Sequence, residues 1–83
     1  MVGPMISHGA GQPPYMQVAA IVRGRIADGT IRGRVPSKKA LAQEFGVAIG
    51  TVTKAMAVLR DEGLIYTIRG WGSFVTDDDD SRP

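Results

Sequence analysis

From Tyr15 onward, apolar residues return every three or four positions: Tyr15, Val18, Val22 and Ile26, with Ala19 and Ile21 alongside. That spacing draws a single stripe along a helix and predicts one over 15–27. Pro14 suits its first turn, where a missing N–H costs nothing, and Asp28–Gly29 ends it. Gly24 inside it is a weak point of roughly 1 kcal/mol relative to alanine. A short β-tolerant stretch, 30–35, offers Ile31 and Val35 as apolar contacts and is at most a brief strand. Pro36–Ser37 then opens a second helix of about two turns, with Ser37 as N-cap and Leu41, Ala42 and Phe45 on its apolar face. Gly46 stops it, and a third helix follows over 49–62 with Val52, Ala55, Met56 and Leu59 inward, closed by Gly63. Two β-rich segments, 64–68 and 73–76, flank Arg69–Gly70–Trp71–Gly72 and read as a hairpin.

Two helices joined by a glycine-containing turn make a helix-turn-helix, the preceding helix completes a core, and the hairpin supplies a wing. The expected fold is mainly α with a small β-hairpin: a three-helix winged helix-turn-helix. Residues 1–13 are expected to be a flexible lead, 14–76 the folded domain and 77–83 a disordered acidic tail.

Composition narrows the function. The chain has 83 residues, one domain's worth, with 43% hydrophobic and 22% charged residues. Its apolar runs are too short to span a bilayer, so no membrane partner is expected. With no cysteine and one histidine, His8, disulfides and thiolate metal sites are excluded, and acid–base chemistry has little to work with. An enzyme would need a nucleophile beside a base, or clustered carboxylates in a pocket, and the sequence offers neither; no cofactor is expected. Asp77, Asp78, Asp79 and Asp80 are hard oxygen donors without turn-forming spacing, so they read as solvated tail and not as a metal site.

The formal net charge of +2 conceals a division. Residues 15–76 carry nine Lys/Arg against four Asp/Glu, a net of +5, whereas 77–83 carry a net of −3. A basic folded part suits an anionic partner such as nucleic acid. The geometry fits too: a helix about 10–12 Å across enters a major groove about 12 Å wide.

Several stretches carry a family likeness: Pro14–Tyr15, Gly29–Thr30–Ile31, Val35–Pro36–Ser37, Leu41–Ala42, Phe45–Gly46–Val47, Thr51–Val52, Glu62–Gly63–Leu64–Ile65 and Gly70–Trp71–Gly72–Ser73–Phe74–Val75. Over about residues 14–76 the chain resembles the N-terminal winged helix-turn-helix of the GntR family of bacterial transcription regulators. The resemblance implies a cytoplasmic regulator that binds double-stranded operator DNA, as a homodimer held by a C-terminal effector domain. That domain has no counterpart in these 83 residues, so an excised module or a small stand-alone relative is expected, monomeric as it stands. The chain departs from the family at four places: Ile49 and Thr53 stand where the family has arginines, Ala48 where it has serine, and Lys38 where it has an acid. Two bidentate guanine readers are therefore missing, and the operator is expected to differ from the family's common one or to be read with modest specificity.

The candidate DNA-binding residues are Ser37, Lys38, Lys39, Ile49, Gly50, Thr51, Thr53, Lys54, Arg69 and Gly70. Lys38 and Lys39 oppose the helix dipole, which favours a phosphate role over a plain solvated face. Ser37 is chiefly a cap whose neighbouring amides can meet a phosphate. Ile49 offers apolar contact to a thymine methyl, Gly50 close backbone approach (or a merely relaxed turn), Thr51 and Thr53 polar contacts, and Lys54 reach to a phosphate. Arg69 and Gly70 form a wing tip suited to a minor groove, where narrow tracts attract arginine. Trp71 reads first as stacking on the wing's own strands, and second as touching DNA sugar or a partner chain. Arg32 and Arg34 read as surface, and Arg23, Arg25 and Arg60 as solvated helix faces. The rival reading is a winged helix used for protein–protein interaction without specific DNA readout.

Overall fold

A computed structural model describes residues 11–76. Three helices, α1 (Pro14–Ala27), α2 (Lys38–Phe45) and α3 (Ile49–Asp61), are followed by an antiparallel pair, β1 (Ile65–Ile68) and β2 (Gly72–Val75). The expected flexible lead lies outside the described residues except for 11–13, and the expected acidic tail lies wholly outside them.

Each helix ends where its sequence stops supporting it. In α1, Pro14 occupies the first turn and Asp28 is the C-cap. Residue Ser37 is extended, and its Oγ accepts the Ala40 N–H at 3.0 Å, which fixes the start of α2. The turn between α2 and α3 is only three residues long, and Gly46 makes it possible with φ 68°, a left-handed conformation that a Cβ disfavours. The Val47 N–H then donates to the Ala42 carbonyl at 3.1 Å and closes the turn.

Apolar faces from all three helices meet in one core. Val18, Ala19 and Val22 come from α1, Leu41, Ala42 and Phe45 from α2, and Val52, Ala55, Met56 and Leu59 from α3. Ile31, Val35 and Ile65 close its hairpin side. The segment after α1 runs beside β2: Val35 N–H donates to Ser73 C=O at 2.9 Å and Val75 N–H to Gly33 C=O at 2.6 Å. The brief strand expected at 30–35 is thus reduced to one bridge, Arg34 to Phe74, which anchors the wing to the helices.

Gly24 lies in the exposed part of α1, and a Cβ there would meet nothing within 4 Å. Gly24→Ala is expected to stabilise the domain by about 0.5–1 kcal/mol through helix propensity alone. A thermal melt should show this as a rise of about 4–8 °C for each kcal/mol.

Candidate nucleic-acid interface

The start of α2 and the tip of the hairpin meet along one groove, and the start of α3 carries the remaining candidates. At α2, Ser37, Lys38 and Lys39 are all exposed. The Ser37 hydroxyl is committed to its cap, and the amides of the first turn have no intrahelical acceptor. At α3, Ala48 makes no side-chain cap; the Thr51 N–H donates to the Ala48 carbonyl at 3.0 Å, and the amides of Ile49 and Gly50 have no intrahelical acceptor. Ile49 is 51% exposed. Gly50, Thr53 and Lys54 are exposed and Thr51 is half-buried. The Thr53 hydroxyl donates to the Ile49 carbonyl at 3.0 Å, so its proton is already used and its oxygen is left as an acceptor. The Lys54 ammonium rests 5.5 Å from the centre of the Tyr15 ring, a cation–π contact that ties it to α1.

The hairpin pairs Ile65 with Val75, Tyr66 with Phe74, Thr67 with Ser73 and Ile68 with Gly72. Trp71 N–H donates to Ile68 C=O at 2.9 Å, and Gly70, at the third position of that turn, has φ 83° as a type II turn requires. The two faces of the hairpin differ. Tyr66 and Phe74 stack with ring centres 5.7 Å apart on one face. On the other, Thr67 and Ser73 share a hydroxyl–hydroxyl hydrogen bond of 3.1 Å. A groove of about 320 Å³ runs beside these hydroxyls, and Ser37, Lys38, Arg34, Arg69 and Gly70 also line it.

Four of the expected residues, Ser37, Lys38, Arg69 and Gly70, therefore meet in one groove. Lys39, Ile49, Gly50, Thr51, Thr53 and Lys54 do not line it; Lys39 belongs to the first turn of α2 and the others to the first two turns of α3. Thr67 and Ser73 join the surface unexpectedly. Strand alternation turns both toward the core side, but near the tip the core has ended and the groove begins. Arg34 joins it too: its guanidinium packs over Gly72, at 3.5 Å from where a Cβ would stand.

Two expectations need correction. Trp71 does not stack on the strands; it is 69% exposed. The last cross-strand pair is Ile68–Gly72, so Trp71 lies beyond the ladder with no residue opposite it. Arg23 and Arg25 are not merely solvated. Arg23 grips Glu62 with two hydrogen bonds, 2.9 and 2.6 Å, and Arg25 grips Glu44 while also lying 5.4 Å from the Phe45 ring centre.

These pairs organise the electrostatics. Glu62 and Glu44 answer to arginines of α1, Asp61 pairs loosely with Arg60 at 3.8 Å, and the Asp28 carboxylate accepts the Thr30 N–H at 2.9 Å. Among the described residues, Arg32, Arg34, Lys38, Lys39, Lys54 and Arg69 have no carboxylate partner. Asp61 and Glu62 thus stand at the far end of α3, and Glu44, at the last turn of α2, is turned to Arg25 of α1. The guanidinium hydrogen bonds hold the Glu62 and Glu44 carboxyls below their ordinary value of 4.5. Carboxyls depressed in the folded state add stability above about pH 4.5 and lose it as pH falls through their folded values. Melting temperature is therefore expected to fall under acid, and to fall less steeply in R23A/R25A than in the parent chain. Parallel slopes would contradict the pairing.

The description "Bacterial regulatory proteins, gntR family" matches residues 14–75. The chain belongs to the GntR family. An uncharacterized HTH-type transcriptional regulator of Rhizobium meliloti is 36% identical over 77 residues, which cover 90% of this chain and 32% of that one. The HTH-type transcriptional repressor NagR of Bacillus subtilis is 33% identical, over 77% of this chain and 27% of its own. The chain thus spans about a third, or less, of the length of these curated relatives. Among solved structures, the DNA-binding domain of AraR in complex with operator ORX1 superposes with a TM-score of 0.82 at 30% identity, covering 92% of this chain and 99% of that one. YtrA of Sulfolobus acidocaldarius, a GntR-family transcription factor, does so at 0.78 and 32% identity, over 89% and 80%. The GntR wing and helix-turn-helix thus recur across these proteins in the order seen here. Among the described residues there is no grouping of His, Cys, Asp or Glu able to hold a metal, and no helix long and apolar enough to cross a membrane.

Proposed function

We propose that this chain is the DNA-binding module of a cytoplasmic GntR transcription regulator of the repressor type. The start of α3 enters the major groove of an operator, Lys39 and the first-turn amides of α2 clamp the backbone, and the wing at Arg69–Gly70 reaches the adjacent groove. The observation that supports this reading is the pairing of charge: the acids of α2 and α3 are taken up by Arg23, Arg25 and Arg60, which leaves Lys38 and Arg69 unpaired among the described residues in the groove where α2 meets the wing tip. Specificity rests on short side chains, with Ile49 against a thymine methyl and the Thr53 oxygen accepting from a base amino group. One relative, NagR, carries a repressor name, and the AraR DNA-binding domain was solved on an operator. A full-length regulator of this kind multiplies two half-site affinities by dimerising, whereas these 83 residues act as a monomer and bind weakly.

Titration with duplex DNA at low salt tests the proposal. Expected is binding at about micromolar or weaker, falling by a log–log slope of about 0.9 for each phosphate contact as salt rises. The amide signals of Lys39, Thr51 and Gly70 should move. Binding that ignores salt, or no binding to any duplex, would overturn it.

Gly50 gives a finer check. It sits in the first turn of α3 with ordinary helical φ, and a Cβ there would meet nothing within 4 Å. Nothing inside the protein demands glycine. Gly50→Ala should raise the melting temperature, as is expected of Gly24→Ala, yet weaken duplex binding severalfold. Equal binding by both variants would remove Gly50 from the interface.

A further inference from the structure

Trp71 is the one tryptophan of the chain, and the fold spends effort on holding it outward. Its N–H is tied to Ile68 C=O at 2.9 Å, and Gly70 and Gly72 on either side have φ of 83° and 109°. The indole is therefore carried on a backbone turn with a fixed hydrogen bond, not on a loose loop. It is 69% exposed, the most exposed of the large hydrophobic side chains in the described part. The ring contacts of the hairpin are made by Tyr66 and Phe74, not by it.

Its surroundings decide what could cover it. Arg69 stands two residues away on the same tip, and Arg34 and Lys38 line the adjoining groove, none with a carboxylate partner among the described residues. An apolar protein partner would have to bury or neutralise these cations, whereas a polyanion with apolar walls answers both features at once. The minor groove of duplex DNA is such a surface: phosphates on its rims and deoxyribose along its walls. We infer that Trp71 is an apolar DNA anchor, its indole packing against deoxyribose in the minor groove that the wing reaches, with Arg69 beside it on the phosphates or in the groove. This rests on the DNA-binding reading above and adds a contact that carries no charge. Trp71 accordingly contributes affinity that salt does not screen, unlike every lysine and arginine on the same surface.

Because the chain has a single tryptophan, its emission reports this side chain alone. The 83-residue chain is titrated with a labelled A·T-rich duplex about two turns long, following label anisotropy and tryptophan emission together. The inference expects emission to shift to shorter wavelength and acrylamide quenching to fall as anisotropy rises. Trp71→Ala should weaken binding about tenfold with the salt slope unchanged, and Trp71→Phe should recover most of the loss. Arg69→Ala, in contrast, should lower the slope by about one. Melting curves of the free variants check that each remains folded. If anisotropy rises while emission, quenching and Trp71→Ala affinity all stay at parent values, the anchor is wrong and the DNA reading stands. If Trp71→Ala lowers the salt slope as well, the tip has rearranged and direct contact is refuted. If the duplex does not bind at all, both readings fall together.

Discussion

Reversing charge at Lys39 and Arg69 together, as K39E/R69E, is expected to lower duplex affinity by a hundredfold or more at low salt. Both side chains are exposed and have no carboxylate partner among the described residues, so neither supports the fold. Each cation that neutralises a phosphate releases counterions, and losing two should flatten the log–log salt dependence by about 1.8. The new carboxylates add repulsion to that loss, which carries the effect beyond simple deletion. Stability should move the other way. A glutamate in the first turn of α2 complements the helix dipole, worth about 0.3–1 kcal/mol, where Lys39 opposes it. The double variant is thus expected to melt no lower than the parent while losing DNA. A variant that melts normally and still binds duplex with the parent slope would move the interface elsewhere and favour a protein-binding winged helix.

The elements were legible because each is bounded by residues with a local mechanism. Ser37 caps, Gly46 adopts the left-handed turn, and the stripe from Val52 to Leu59 faces inward, all decided within a few positions. Legibility stops at contacts between distant residues. Nothing local links Arg23 to Glu62, 39 positions away, or Arg25 to Glu44, 19 away, so both arginines read as solvated until α1 was packed against its neighbours. The groove face of the wing was missed for a related reason. Register was needed to see that Thr67 stands opposite Ser73, and the end of the core had to be known to see that this inward pair is not buried. Trp71 shows the converse. Aromatic residues in hairpins usually find a cross-strand partner, but the register leaves Trp71 one place beyond the last pair. The exposure of Lys38, Lys39, Gly50 and Thr53 follows from the inward stripes of α2 and α3, which turn the other faces outward. What Thr53 does with its hydroxyl does not, because bonding back to Ile49 is a choice of rotamer.

Truncating Leu59 to alanine is expected to have the largest effect on stability. Its side chain is fully buried as the last inward residue of α3, and its carbonyl accepts the Leu64 N–H at 3.0 Å where the chain leaves the helix for the wing. Leucine-to-alanine changes in cores cost about 2–5 kcal/mol, because a cavity adds to the lost transfer energy. At about 0.05–0.15 kcal/mol per residue, a domain of this size holds only roughly 3–9 kcal/mol in total. Leu59→Ala should therefore lower the melting temperature by about 10–30 °C and leave part of the chain unfolded near physiological temperature. Duplex present at a hundred times its dissociation constant should restore about 2.7 kcal/mol, since it binds only the folded form. That recovery separates the core from the interface. Leu59→Ala is expected to melt early and be rescued by DNA, whereas K39E/R69E melts late and is not rescued. If DNA rescued neither or both, the core of α3 and the cations of α2 and the wing would not be two separable layers.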